Sequence, residues 1–221
     1  MQTPFSLDSR LALCAGFVRS GAKLADIGTD HAYLPVFLAL AGKISCAVAA
    51  DINEEPLKRG KQTIDKYNMA PLVSTRLTNG LVGFGADEVT DIVIAGMGAD
   101  TIIGIISAAD WLKDKSKRLI LQPMTKPERV ITYLYQNGFE IEEQKCCTAE
   151  GKPYTVMCIG YTGHTEPCSE YFSYTGKLCP EENPEDIPFL AQQIRILQKR
   201  CAADKIYGEL AEKIQKRLDN I

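Results

Sequence analysis

The sequence predicts a mostly parallel, doubly wound α/β sheet that ends in an antiparallel hairpin, and three observations carry this. Apolar strand-length runs and amphipathic helix-length stretches alternate five times between residues 23 and 137. The run Ile92-Val93-Ile94-Ala95 is apolar throughout, as a central strand buried on both faces must be. Residues 139–147 and 153–161 read as two strands with only the turn Glu150-Gly151-Lys152 between them.

The elements follow in order. A helix is expected over 7–20, capped by Ser6, with Leu7, Leu11, Cys14, Ala15 and Val18 at helical spacing and Gly21 as its stop. Strand one is 23–27. The next helix is expected over 31–40, with Pro35 in its first turn, where a missing N–H costs little. Strand two is 46–50 and ends on Asp51; a helix follows from Glu54, turning Leu57, Ile64 and Tyr67 inward. Strand three, 72–77, closes on Thr78-Asn79-Gly80. Strand four, 91–95, ends in Gly96-Met97-Gly98, and a helix is expected over 100–112. Strand five, 117–121, ends at Gln122-Pro123, before a helix over 127–137 that Gly138 stops.

The organisation implied is an α/β domain over 1–162, a linker or lid over 163–185 and a helical hairpin over 186–221. The linker reading rests on Pro167, Gly176, Pro180 and Pro184 among Ser and Glu residues. In the hairpin, Leu190, Ile194, Leu197 and Cys201 form one stripe and Ile206, Leu210, Ile214 and Leu218 another, with the bend at 202–205.

Composition sets the limits. A chain of 221 residues that is 45% apolar can bury a full core. No apolar run is long enough to span a membrane, and the opening Met1-Gln2-Thr3-Pro4-Phe5-Ser6 has no secretory character, so the expected compartment is the cytoplasm. The eight cysteines are scattered, with no Cys-x-x-Cys, and only His31 and His164 accompany them, so no metal centre and no disulfide framework is expected. The formal charge of −3 does not favour nucleic acid, although a local basic stripe suffices for binding it.

In such a sheet ligands bind at the carboxyl ends of the strands. Asp26-Ile27-Gly28 ends strand one, and glycine there lets a ligand approach the backbone. Asp51 ends strand two, where an acid takes ribose hydroxyls. Asn79-Gly80 ends strand three, and an amide can pair with an adenine edge. Gly96-Met97-Gly98 ends strand four. Thr29 and Ile52 stand beside the first two acids. Of a dinucleotide glycine triplet only Gly28 is present; Asp30 and Ala32 stand where further glycines would be. A nucleoside pocket without a phosphate cradle points to S-adenosylmethionine, and so to methyl transfer rather than hydride transfer.

Each residue has a plainer reading too. Asp51 and Asp30 are also helix-capping types, Asn79-Gly80 is a common turn, Gly96 and Gly98 can simply end a strand, and Met97 is a usual packing residue. His31 can support the loop instead of moving protons. The basic residues of the tail, Arg195, Lys199, Arg200, Lys213, Lys216 and Arg217, can be a solvated face or an RNA surface.

Three stretches resemble the signatures of the bacterial TrmK family of tRNA (adenine-22-N1)-methyltransferases: Asp26-Ile27-Gly28-Thr29-Asp30-His31-Ala32-Tyr33-Leu34-Pro35, Ile94-Ala95-Gly96-Met97-Gly98 and Leu119-Ile120-Leu121-Gln122-Pro123. They fall in the right order on strands one, four and five. The similarity runs over residues 7–161; the tail is similar to the family's helical appendage only in character. The resemblance implies a class I methyltransferase, Rossmann-like fold with seven strands in the order 3-2-1-4-5-7-6. It implies S-adenosylmethionine held at Asp26, Gly28, Asp51, Asn79 and Ala95 to Met97, and tRNA as partner. The chain departs from the family at Asn79, where Asp is usual, and at Ala99, where a second glycine is usual. The amide oxygen of Asn79 keeps an acceptor in place, and Ala99 is expected to tighten its loop.

On this reading Asp30 is the expected carboxylate at the reacting base, with His31 and Tyr33 orienting it or stacking on the base. Gln122, Lys126 and Arg129, at the exit of strand five, are the expected substrate contacts. Two alternatives stay open on sequence: methylation of a small molecule or protein, which the acidic balance suits, and an inactive cofactor-binding module whose tail binds a partner.

Overall fold

The computed structural model describes residues 4–221; Met1 to Thr3 of the opening stretch lie outside it. Among the described residues, β1 (Ala22–Ile27), β2 (Ile44–Asp51), β3 (Val73–Leu77), β4 (Asp91–Gly98), β5 (Arg118–Thr125), β6 (Phe139–Ala149) and β7 (Lys152–Tyr161) form one sheet. Their order is β3-β2-β1-β4-β5-β7-β6, as the family resemblance implied. β1 to β5 run parallel, while β7 is antiparallel to β5 and β6 to β7.

Alternation along the central strands explains why helices cover both faces. Ala25, Ile27, Ile92, Ile94, Leu119 and Leu121 point into one apolar layer, under α4 (Ala99–Ser107) and α5 (Pro127–Gln136). Leu24, Val93 and Ile120 point into the other, under α1 (Ser9–Phe17), α2 (Tyr33–Leu40) and α3 (Glu54–Lys66). Both layers exclude water, so the central strands carry almost no polar residue between their ends.

Local chemistry sets several boundaries that sequence pattern placed elsewhere. α1 begins at Ser9 rather than residue 7, because Asp8, not Ser6, caps it: Asp8 Oδ1 accepts from the backbone N–H of Arg10 (2.9 Å) and Leu11 (3.1 Å). It ends at Phe17, since Val18 is already extended. α2 starts at Tyr33 rather than residue 31, because Ala32 adopts a left-handed φ of 54°. β4 and β5 continue past 95 and 121: Met97 pairs with Pro123 and Gly98 with Thr125, across a kink at Gly96 (φ 76°). The helix expected over 100–112 stops at Ser107; a separate 3₁₀ turn, Asp110–Leu112, carries Leu112 into the core. Glu150 (φ 50°) and Gly151 (φ 73°) make a two-residue hairpin turn, which lengthens β6 and β7 to meet it.

Residues 163–185 carry α6 (Glu170–Thr175), capped by Ser169, and bury Ser173, Tyr174, Thr175 and Leu178. Gln144 of β6 accepts from the Lys177 N–H at 2.9 Å. The segment is thus packed against the sheet edge. α7 (Asp186–Arg200) and α8 (Lys205–Leu218) pair on Leu190, Ile194, Leu197, Ala211 and Ile214, together with Cys146 of β6. Ile206, placed in that seam by spacing, is 42% exposed; it lies in the first turn of α8, and Ala211 occupies the buried position instead. The hairpin is tied to the α/β layer by Arg200, which donates to Glu128 of α5 at 3.0 Å and to the Tyr174 hydroxyl at 2.5 Å.

Asp91, at the start of β4, is fully buried and collects three bonds from Arg19: its backbone N–H (2.9 Å), Nε (2.8 Å) and Nη2 (2.6 Å). Asp91→Ala leaves the Arg19 backbone N–H and Nε without their acceptor, while Nη2 keeps the Thr90 and Ser116 carbonyls, and is expected to cost about 3 kcal/mol. Urea unfolding of the two proteins checks it, with a lower midpoint and an unchanged slope as the expected result.

Candidate functional site

The β1–α2 loop is held at its start by one carbonyl: Ala50 O accepts from Gly28 N (2.8 Å) and Thr29 N (3.0 Å). Gly28 takes φ 79°, a conformation side chains resist, and Met97 lays its methyl group against it. The loop closes through Thr29 Oγ1, which accepts from Ala32 N at 3.1 Å. α3 lies close behind, since a Cβ on Gly60 would stand 3.3 Å from that of Ala32. This approach brings Arg59 to Asp30, Nη2 to Oδ1 at 2.5 Å. His31 Nε2 lies 3.5 Å from the other oxygen of Asp30, and its ring stacks on Tyr33 at 5.1 Å between centroids and 17° between planes. Asp30 does not cap α2: the capping position is Ala32, without a side-chain bond. Asp30 is instead an exposed carboxylate between a guanidinium and an imidazole.

A cavity of about 360 Å³ opens against this loop. Asp26, Gly28, Thr29, Asp30, His31, Tyr33, Ala95, Gly96 and Gln122 line it, gathering the ends of β1, β4 and β5. Gln122 is buried; its Oε1 accepts from Gly96 N at 3.0 Å and so holds the kink in β4. Its role here is to shape the wall. Burial pushes the Asp26 carboxyl up to about 6, the Asp51 charge adds to the rise, and the Thr29 hydroxyl opposes it. The carboxylate therefore gains from any cation placed beside it.

Asp51, Ile52, Asn79 and Gly80 stand at the ends of β2 and β3, outside the lining of that cavity. Asp51 Oδ1 accepts from Asn53 N at 2.7 Å, and Ile52 is exposed. Asn79 forms a turn, its carbonyl accepting from Val82 N at 3.2 Å. Gly80 has φ 56° and sits where a Cβ would come within 2.9 Å of Ile105, so glycine suits both turn and packing. Ala99 is buried as the first residue of α4.

The expected substrate contacts part company. Lys126 has φ 52°, is exposed, and lines a second cavity between α5 and α7. Arg129 is turned away to Asp100, at 2.5 Å. In the tail, Arg200 is engaged by Glu128 and Arg217 by Glu181 (2.8 Å), and the exposed Lys213 lies over the Tyr171 ring at 4.2 Å. Arg195, Lys199 and Lys216 are exposed.

Sequence reasoning missed Asp8, Arg10 and Leu11, which α1 brings to the first cavity. Arg10 donates to Asp8 (3.1 Å) and to Met124 Sδ (3.4 Å), and its guanidinium lies 5.3 Å from the Tyr154 ring centre. Its Nε is buried without a partner. Arg59 was missed for the same reason: its partner is remote in sequence, and no local pattern marks it. Among the described residues no cluster of three His, Cys, Asp or Glu side chains is placed to hold a metal ion, and no helix is long and apolar enough to cross a membrane.

Residues 7–157 match the methyltransferase domain family. The tRNA (adenine(22)-N(1))-methyltransferase of Bacillus subtilis (strain 168) is 35% identical over 151 residues, which are 68% of this chain and 63% of that protein; the match spans less than two thirds of the relative. Structures extend the likeness to the tail. The Streptococcus pneumoniae protein Sp1610, a candidate tRNA (m1A22) methyltransferase in complex with S-adenosyl-L-methionine, superposes with a TM-score of 0.84 at 28% identity, covering 96% of this chain and 99% of that one. TrmK of B. subtilis gives 0.79 at 27% identity, covering 97% and 96%. TrmK of M. capricolum, in complex with S-adenosyl-homocysteine, gives 0.79 at 25% identity, covering 97% and 99%. The match over residues 7–157, on a sheet of this strand order, shows that the chain belongs to the methyltransferase domain family, and its likenesses run to the TrmK proteins.

Proposed function

We propose that this protein is an S-adenosylmethionine-dependent methyltransferase of the cytoplasm that acts on N1 of adenine 22 in tRNA. The observation that carries the reading is the loop from Asp26 to Tyr33, which joins a buried acid and a left-handed glycine to Asp30 and His31 on one cavity wall, with Arg59 paired to Asp30. The Bacillus subtilis relative supplies the target base, and the Streptococcus pneumoniae and M. capricolum structures supply the cofactor class.

The residues present suit that cofactor. Asp26 would hold its ammonium group, the open backbone at Gly28 and Gly96 would take its amino-acid part, Asp51 the ribose hydroxyls and Asn79 the adenine amino group. Thr29, Ile52, Gly80, Ala95 and Met97 complete the enclosure. When bound, the cofactor supplies an electrophilic methyl group on a sulfonium.

Adenine N1 is already a neutral lone-pair nucleophile, so no proton need leave before attack. The protein's work is positioning and exclusion of water. The target base has to be extruded from folded RNA. The stacked His31 and Tyr33 rings offer it a flat surface. Positive charge then develops on the base, and the Asp30 carboxylate, kept in place by Arg59, stabilises it or takes a proton from the amino group.

Primer extension through tRNA from cells with and without the gene tests the target: arrest at adenine 22 only when the gene is present is expected, and unchanged extension removes the assignment. Asp30→Ala is expected to lower kcat about a hundredfold while leaving cofactor affinity within about twofold; labelled methyl transfer and equilibrium dialysis report the two quantities. Intact transfer would take Asp30 out of catalysis.

Cofactor binding is also expected to depend on pH. In the unbound protein burial favours the protonated Asp26, whose contribution to stability falls as pH rises from 3.8 through about 6. A bound ammonium group favours the ionised form. Cofactor affinity therefore falls as pH drops through about 6, by about fourfold from pH 7.5 to 5.5, and Asp26→Asn flattens the profile. Calorimetric titration across that range is the measurement.

A further inference from the structure

A second cavity, of about 500 Å³, lies between the start of α5, the β6–β7 turn and α7. Lys126, Lys152, Tyr154, Gln193 and Arg200 are among its lining residues. Gln193 is 1% exposed, yet its carboxamide oxygen is buried without a partner. It sits on α7 beside Ile194 and Leu190, where an apolar side chain would pack at no such cost. An unsatisfied carboxamide at a cavity wall calls for a ligand donor. It presents an acceptor and a donor side by side, which suits the amino-bearing edge of a nucleobase.

The charge around the cavity fits the same ligand. Arg200 is balanced by Glu128, which also lines the wall. Lys126 and Lys152 are exposed and have no ion-pair partner among the described residues, so the local balance is positive. Lys126 also caps the N-terminus of α5, adding to the attraction for a phosphate.

This cavity shares a wall with the first. Met124 lines it, and its sulfur accepts from Arg10 Nη1 (3.4 Å) and Gln122 Nε2 (3.6 Å), both residues of the first cavity. Tyr154 lines it as well and stacks against the Arg10 guanidinium. Two concave sites divided by one layer of side chains match neighbouring nucleotides of one strand.

We infer that the α5–α7 cavity binds the nucleotide next to the methylated adenine, with Gln193 reading its base edge, Tyr154 offering a ring to stack on, and Lys126 and Lys152 taking its phosphates. The inference rests on tRNA being the substrate. Recognition of the target then depends on the helical hairpin: α7 supplies the reading residue, while the α/β layer supplies the reacting site.

The test compares wild-type protein with Gln193→Met, which keeps the shape and removes the hydrogen bonds. The substrates are unmodified tRNA and two tRNAs, each abasic at one nucleotide flanking the target. Gln193→Met is expected to raise KM for tRNA about tenfold, with cofactor affinity and kcat within about twofold. It is also expected to melt no lower than wild type, because the side chain it replaces is unpaired, which separates this role from a structural one. One abasic tRNA should reproduce the KM increase with wild type and add nothing to it in the variant. Lys126→Gln with Lys152→Gln should reduce the salt dependence of log KM by a slope of about two. An unchanged KM in Gln193→Met, or an abasic penalty that persists in full in that variant, overturns the subsite. Failure of the underlying reading is separately visible, since wild-type protein would then transfer no methyl group to unmodified tRNA; that result overturns the subsite as well.

Discussion

The Ala50 carbonyl, accepting from both Gly28 and Thr29, is the interaction on which the site depends. It fastens the end of β1 to the end of β2 and lets the chain reverse at once into the β1–α2 loop. The reversal requires a left-handed residue, which glycine supplies without a Cβ clash. Because the turn is tight, Asp26 stays behind in the apolar layers while Asp30, four residues on, reaches solvent. One short loop thus offers a buried carboxyl, whose pKa burial raises more than any other cause, and an exposed carboxylate.

The rest of the molecule braces that loop from three sides. α3 packs Gly60 against Ala32 and so delivers Arg59 to Asp30. β4 turns aside at Gly96, where Gln122 of β5 receives the freed N–H. α1 brings Asp8 and Arg10 across the cavity from a part of the chain that shares no strand with it. Each contact joins residues distant in sequence, so the cavity cannot form before the sheet does.

The helical hairpin is bound to this frame more firmly than its composition suggests. Arg200, Glu128 and Tyr174 connect α7, α5 and α6, while Cys146 of β6 enters the core of the hairpin. Arg200 and Arg217 are occupied by acids in this way, while Arg195, Lys199 and Lys216 on the same helices face solvent. A charge count along the tail could not separate the two groups, because it depends on which acids lie opposite in space.

The sequence by itself determined the α/β alternation, the double burial of β4, the closing hairpin and the acid or glycine at the ends of the first four strands. All of these follow from local pattern: period, apolar runs and residues that end them. The motif from Asp26 to Pro35 also carried the resemblance to the TrmK family. Only the tertiary structure decided the ends of α1 and α2, the run of β4 through Gly98, the packing of residues 163–185 and the diversion of Arg129 to Asp100. It alone revealed Arg10, Arg59 and the unpaired carboxamide of Gln193. The reason is physical: a cap, a bulge or an ion pair is chosen by competition among partners, and for long-range contacts those partners are named only when the sheet brings them together.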